Sequence, residues 1–356
     1  MSRNLFFGIT SRVLMLIAAI LTFLSVASMV VNPAKIWLST IFGLLFIPLT
    51  ILDFILLIWA IKRRSKAFVI PLLAILPSFF FAGCYFKIIP AQESAPSGIS
   101  VKMLSYNVGR FRLGKDCDTE SCADSIFSII RREQPDIACI QEFSLLSSRN
   151  VKSYLAEKLP GYNVEYYLFE GKGQNFGNLT LSRFPIIGKG KIKFEDSANL
   201  ALYTDCQAGN RCFRVYNCHF ESYGISYAGI IRALFRADSD EVSKTGQKMK
   251  RSILRRPRQV DKVFSDIGNC PYDSFVVGDF NDNPMSYTYY RMMRGRKDTF
   301  REAGKGFAAT YSILWPLLRL DYVLCPQWCK VHKCETSRIE YSDHYPVIAE
   351  LSIENQ

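Results

Sequence analysis

The chain has 356 residues, 49% of them apolar and 21% charged, with a net charge of +12 and a mean hydropathy of +0.07. That length allows one or two domains with ample core, and the composition excludes both a disordered chain and a small disulfide scaffold. A positive mean hydropathy beside this many charges averages two unlike segments: residues 1–100 hold eight basic and two acidic side chains, the remainder 36 and 30, so that each part carries +6.

Three apolar runs, 13–31, 36–61 and 68–86, fill the first ninety residues. Each reaches the roughly 17 to 25 residues needed to cross about 30 Å of hydrocarbon, so three transmembrane helices are expected within a membrane anchor spanning 1–90. A cleaved signal peptide is the rival for the first run, since Arg3 and Arg12 precede it and Val26-Ala27-Ser28 has the small residues of a cleavage site; cleavage would still leave two spanning runs in place. Basic residues set the orientation. Arg3 and Arg12 precede the first run, Lys35 alone follows it, and Lys62, Arg63, Arg64 and Lys66 follow the second, which puts the N-terminus and the second loop in the cytoplasm. Three spans then carry everything after residue 86 across the membrane, to the periplasm if the cell is a double-membraned bacterium. Asp53, an acid inside the second run without a matching base, is expected to pack helices or meet water rather than move ions.

The polar stretch 91–98 has the composition of a linker. Beyond it, residues 99–356 change to short β-type runs separated by helical stretches. Strands are expected at 101–106, 137–140, 179–181, 213–218, 275–277, 320–324 and 347–351, and helices at 125–132, 151–159 and 257–267, the last with Pro257 in its first turn and Gly268 just past its end. Acids, amides and histidines fall where these strands run out: Asn107, Gln141 and Glu142, His219, Asp279 with Asn281, Asp321, and Asp343 with His344. Taken singly, each has an ordinary reading as solvated surface, an Asx turn or a structural histidine. Together they form a set that can hold a hard divalent ion and manage protons around it, at the strand ends where α/β architectures build sites. Of three histidines in the chain, two lie inside these clusters.

In this order the motifs Ser-Tyr-Asn107, Gln-Glu142, Leu-Ser-Arg-Phe-Pro185, Asn-Cys-His219, Gly-Asp279-Phe-Asn281, Arg-Leu-Asp321-Tyr and Ser-Asp343-His344 resemble the endonuclease/exonuclease/phosphatase superfamily with the deoxyribonuclease-I-like fold, over roughly 99–354. The resemblance implies a four-layer α/β/β/α sandwich of two mixed sheets and Mg²⁺- or Mn²⁺-dependent hydrolysis of a phosphate ester. It implies Glu142 as the principal metal ligand with Asn107 and Asp343 completing the pocket. Asp279 would activate the attacking water, Asn281 would hold phosphate or water, His344 backed by Asp321 would stabilise charge on the phosphoryl oxygens, and His219 would face the same group.

The substrate is less determined. Inositol-phosphatase members carry Trp-Cys-Asp-Arg where this chain has Arg319-Leu320-Asp321-Tyr322, a form more similar to abasic-site endonucleases. A nuclease-like phosphodiesterase is the leading expectation, beside a sphingomyelinase-like lipid phosphodiesterase, a phosphoinositide-type phosphatase and an inactive binding module. A basic stretch over 244–258 includes Arg251, Arg255 and Arg258. It is read as a grip on substrate phosphates or an anionic membrane surface, with a solvated helical face as the plain alternative. The aromatic-rich segment 223–235 before it would suit a lid or a surface resting on the bilayer. Among eleven cysteines, Cys117 with Cys122 and Cys206 with Cys212 are candidate local bridges in an oxidising compartment. Cys139 and Cys218 read as buried thiols, and Cys325, Cys329, His332 and Cys334 have a spacing that would suit zinc.

Overall fold

The computed structural model describes residues 3–88, 98–112, 119–224 and 239–353. Most of the linker at 91–98, most of the segment 223–235, and Cys117 lie outside the described residues. Two compact units emerge: Met1–Gly83 with Tyr223–Pro257 and Asn283–Tyr290, and Cys84–Ser222 with Arg258–Asp282 and Arg291–Gln356.

The first unit opens with helices α1 (Arg3–Ala27), α2 (Leu38–Leu44), α3 (Phe46–Lys62) and α4 (Val69–Phe81). Large apolar side chains such as Ile17, Ile55, Phe79 and Phe80 are exposed on them, as expected of helices solvated by lipid rather than water. Two segments are long and apolar enough to cross a membrane, Gly8–Ala27 and Lys66–Cys84. The middle run, expected as a span over 36–61 with Pro48 tolerated as a kink, is two helices bent by 58°, so that the chain has up to three spans if the bent pair counts as one. Pro48 lies in the first turn of α3 and has no N–H to give the carbonyl of Leu44, so the α-helical ladder fails at Leu45. Asp53 of α3 is buried and accepts a 2.6 Å hydrogen bond from Thr22 Oγ1 of α1, the helix-packing role expected of it. Ser28 Oγ donates to the Met285 carbonyl at 2.5 Å and Asn283 Nδ2 to the Gly43 carbonyl at 2.9 Å, which ties the 283–290 segment to the helices of its own unit.

In the second unit, β1 (Phe86–Lys87) pairs with β11 (Gly306–Phe307). One six-stranded sheet is formed by β2 (Ile99–Asn107), β3 (Ile137–Leu146), β4 (Asn163–Phe169), β5 (Gln174–Ser182), β13 (Lys330–Thr336) and β14 (Val347–Ile353), in the order β13-β14-β2-β3-β5-β4. The other is formed by β6 (Ile186–Lys193), β7 (Leu200–Ala208), β8 (Arg211–His219), β9 (Ser274–Asp279), β10 (Arg296–Asp298) and β12 (Asp321–Pro326), in the order β10-β12-β9-β8-β7-β6. The pairs β2–β3 and β8–β9 are parallel and the rest antiparallel, so both sheets are mixed.

Period-two alternation sets the layers. Val101 and Met103 of β2 join Phe213, Val215, Phe275, Val277 and Val323 in a core between the sheets. Leu104 and Tyr106 face the other way, onto Ile126, Phe127 and Ile130 of α5 (Thr119–Glu133) and Leu155 of α6 (Val151–Lys158). Asn150 starts α6 by accepting from Ser153 N, an ordinary N-cap. Over the second sheet lies the C-terminal part of α7 (Ser239–Gly268), with Val260 and Val263 buried and Asp266 accepting from Tyr216 OH at 2.6 Å. Two mixed sheets flanked by helices are the architecture the motifs implied.

Three local expectations change. Pro257 does not begin a helix: α7 starts at Ser239 and carries Pro257 inside it, the missing N–H sparing only the bond to the Ile253 carbonyl. Cys206 and Cys212 are free thiols; Cys206 pairs with Phe213 while Cys212 pairs with Gln207, so the two cysteines stand one residue out of register and project to opposite sheet faces. The zinc set does not assemble either. Cys325, Cys329 and Cys334 are packed in the inter-sheet core, and His332 Nε2 lies 2.9 Å from Ser352 Oγ. The short α8 (Tyr287–Met293) and α9 (Thr299–Ala303) complete the described elements.

Candidate active site

The register of the second sheet lines up three of the expected side chains. His219 of β8 stands beside Asp279 of β9, and Asp321 of β12 stands on its other side. Gly278 makes this possible. Its φ is +132°, and any Cβ would collide with the Cys218 backbone, so only glycine allows β8 and β9 to close up immediately before Asp279.

Asp279 is fully buried and heavily solvated by protein donors. Its Oδ1 accepts from Asn281 N at 2.8 Å, and its Oδ2 from Asn107 Nδ2 at 2.9 Å and Asn281 Nδ2 at 3.0 Å. His219 Nε2 lies 3.7 Å and His344 Nε2 3.9 Å from Oδ2. Burial pushes this carboxyl up, the two imidazoles pull it down and Asp321 adds to the rise, leaving it at about 6. That suits a group that must take up and release a proton near neutrality.

His344 follows β13 in the loop before β14, and its Nδ1 is 2.8 Å from Asp321 Oδ2. Asp321 in turn is fixed through its backbone: Thr310 Oγ1 accepts from Leu320 N and Asp321 N. The Tyr311 ring packs edge-on against the imidazole at 5.3 Å. Burial disfavours the imidazolium, but Asp321 and then Asp279 outweigh it and raise His344 to about 10. His344 is therefore a cation at neutral pH, with Nδ1–H given to Asp321 and Nε2–H turned toward Asp279.

The first sheet supplies Asn107 and Glu142. The β3–β5 ladder slips between Ile140 and Phe143, and in that bulge Glu142 takes a left-handed φ of +53°. The irregularity re-aims its carboxylate. Glu142 Oε1 is 3.5 Å from Asn107 Nδ2 and 3.8 Å from His219 Nε2, and its side chain is 29% exposed, unlike the sealed Asp279. Asn107 Oδ1 accepts from Gly109 N, and Ser342 Oγ donates to the Asn107 carbonyl while lying 3.3 Å from Asp343 Oδ1. Asp343 is thus joined to Asn107 through Ser342. Among the described residues, Asp279, Asp321 and His344 alone bring ligand-type atoms within 4.8 Å of one another; the 2.8 Å Asp321–His344 bond makes that trio a proton-handling array first.

Residues 104–344 match the model of the "Endonuclease/Exonuclease/phosphatase family". The chain belongs to that family. Its members hydrolyse phosphoesters, and this chain is a phosphoester hydrolase with the family's divalent-metal chemistry in outline. Residues 4–85 match a "Domain of unknown function (DUF8431)". No curated protein matches the chain.

Solved structures share the family fold at low identity. An endonuclease/exonuclease/phosphatase from Beutenbergia cavernae is 18% identical with a TM-score of 0.55, covering 72% of each chain. The human Nocturnin catalytic domain is 14% identical with a TM-score of 0.52, over 72% of this chain and 96% of that one. An endonuclease/exonuclease/phosphatase family protein from Leptotrichia buccalis is 16% identical with a TM-score of 0.51, over 71% of this chain and all of that one.

Within this family site, Arg110 and Asn217, the latter the first residue of the Asn-Cys-His219 motif, had no role assigned from the sequence. Arg110 sits beside Glu142, with its Nε 3.4 Å from Oε2 and its guanidinium stacked 3.8 Å from the Phe176 ring centroid. Asn217 is buried between the sheets; its Oδ1 accepts from Gln141 Nε2 at 2.7 Å, and its Nδ2 donates to the carbonyls of Leu179 and Ile140. It locks the two sheets together one turn of the pleat below His219. Arg251, Arg255 and Arg258 all lie on α7, exposed or partly so, the first two in the first unit and Arg258 in the second. Among the described residues Arg258, in the same unit as Asp279, has no hydrogen bond or ion pair to the site residues.

Proposed function

We propose that the protein is a membrane-anchored, divalent-metal-dependent phosphodiesterase of the nuclease type, acting outside the cytoplasm. The observation that carries this reading is the continuous polar chain Asp321–His344–Asp279–Asn107–Glu142, which runs from a sealed imidazole–carboxylate pair to a half-exposed carboxylate. The donors at the open end fit a hard cation. Glu142, with Asn107 and Asp343 nearby, offers one or two carboxylates and an amide, the set Mg²⁺ or Mn²⁺ takes while keeping several waters. Bound there, the ion supplies a Lewis acid that polarises a phosphoryl oxygen and neutralises charge.

The chain's own residues supply the rest. Asp279, held by Asn281 and Asn107, accepts the proton of the attacking water. His344, kept protonated by Asp321, donates toward the oxygens on which charge develops, and His219 does so from beside Glu142. Arg251, Arg255 and Arg258 attract the polyanion and make binding salt-sensitive.

Topology belongs to the same proposal. If the bent middle run re-entered instead of crossing, Lys62, Arg63, Arg64 and Lys66 would lie outside, against the bias that retains positive loops in the cytoplasm. The charge pattern therefore favours three crossings and an extracytoplasmic hydrolase in the inner membrane.

The test uses the full-length protein in detergent with Mg²⁺, offered single- and double-stranded nucleic acid, phospholipids and phosphoinositides at two salt concentrations. Asp279→Asn, Glu142→Ala and His344→Ala should each lower kcat by about 10²–10⁴-fold; wild-type rates in folded variants would overturn the assignment. The apolar helices favour one second reading, a sphingomyelinase-like lipid phosphodiesterase, and turnover of phospholipid without nucleic-acid cleavage would select it.

A further inference from the structure

Beside the hydrolytic centre a cavity of about 170 Å³ is lined by Arg110, Glu142, Phe176, Asn199, His219 and Ser222, among others. We propose that this cavity is a subsite for a second phosphate group of the substrate, gripped by Arg110, so that the enzyme prefers phosphodiesters carrying another phosphate close to the scissile one. The inference rests on the phosphodiesterase reading, because that reading commits Glu142 to the divalent cation and leaves Arg110 without another ion-pair partner among the described residues.

Five observations support it. The guanidinium carbon lies 3.8 Å from the Phe176 ring centroid, a cation–π contact that holds the group on the cavity wall. Among the described residues its one charged neighbour is Glu142, whose Oε2 is 3.4 Å from Arg110 Nε, and Nε makes no hydrogen bond; a forked donor so placed matches a phosphate's oxygens. The backbone is spent on presenting it. Gly109, Arg110 and Phe111 have φ of +53°, +56° and +58°, and left-handed backbone at consecutive non-glycine residues persists only where surrounding structure imposes it. Phe111 does the imposing, since its buried ring packs edge-on against Phe127 and Phe143. Finally, the position is right for a neighbouring phosphate. Glu142 stands between Arg110 and His219, with its other oxygen 3.8 Å from His219 Nε2, so one carboxylate separates the guanidinium from the hydrolytic imidazoles. The cavity wall is also built: Asn199 Nδ2 donates to the Phe220 carbonyl at 2.8 Å, which holds that side of the cavity in place.

The experiment compares three thymidine dinucleotides that share one scissile phosphodiester: unphosphorylated, 5′-phosphorylated and 3′-phosphorylated. Full-length protein in detergent with Mg²⁺ should show kcat/KM at least tenfold higher for one phosphorylated form than for the unphosphorylated one, mostly through KM. In Arg110→Gln that ratio should collapse toward one, and Arg110→Lys, which keeps the charge without the fork, should fall between. Because each protein is its own control, a general loss of rate does not mimic the result. A wild-type ratio near one, or a ratio unchanged in Arg110→Gln, would overturn the subsite while leaving the phosphodiesterase intact. Failure of the wild type to cleave any of the three would remove the phosphodiesterase reading and the subsite with it.

Discussion

At the scale of single residues, the site is made by placing side chains in backbone conformations that a strand or helix would not adopt. Glu142 and Asn281 both have left-handed φ, +53° and +52°, Glu142 in the bulge inside β3 and Asn281 two residues past the end of β9. The dependence of His344 on Asp321 is the sharpest consequence. Asp321 Oδ2 both orients the imidazole at 2.8 Å and contributes to its raised proton affinity, so Asp321→Asn keeps the shape and removes the charge. We expect kcat to fall by about 10²–10⁴-fold with KM changed little, as when a buried carboxylate behind a catalytic histidine becomes an amide; less than a threefold loss in steady-state kinetics would show that the pair is structural. Asp279, Asp321 and His344 were legible in the sequence because each lies at the edge of an apolar run, Asp279 at the end of β9, Asp321 at the start of β12 and His344 just before β14. Arg110 was not, since one arginine among 44 basic residues has no pattern until the fold stacks it on Phe176. Asn217 was legible only as the first residue of the Asn-Cys-His219 motif; its role in joining the sheets was not, because its partners come from strands distant in sequence.

At the scale of elements, the strands read best were those buried on both faces, such as β9 and β12, whose runs are continuously apolar. β6 escaped because it is an edge strand with Gly188, Gly190 and three lysines, a composition that resists edge pairing and looks like a loop. Pro48 marked a kink in the middle run, but the size of the 58° bend was not legible, because hydropathy says nothing of how far a broken hydrogen-bond ladder turns the chain. Gly43, just before that break, tests how closely the first unit is packed. Its carbonyl accepts from Asn283, and a Cβ at this position would meet Met285 O and Ser28 Oγ. Gly43→Val should therefore destabilise the unit by about 1–3 kcal/mol, the usual cost of overpacking, read as a lower Tm in detergent. A Tm equal to that of the wild type would mean that the 283–290 segment yields without cost.

At the scale of the whole molecule, the two units are not consecutive in sequence: residues 223–257 and 283–290 group with Met1–Gly83 rather than with the sheets that precede them. A fragment starting near residue 98 would lack the helices whose Gly43 carbonyl and Ser28 hydroxyl meet Asn283 and Met285, which is why the assays above use the full chain. The same helices decide on which side the chemistry takes place, and the parity of crossings turns on the 58° bend between α2 and α3. Three crossings keep Lys62, Arg63, Arg64 and Lys66 in the cytoplasm with Arg3 and Arg12, and put the catalytic sheets outside. Two crossings with a re-entrant middle would put those four charges outside and the sheets inside. Only the first satisfies the positive-inside bias at both loops. A reporter active only in the cytoplasm should therefore be silent when fused after Gln356 and active when fused within residues 62–66; the reverse pattern would make the middle run re-entrant and the enzyme cytoplasmic.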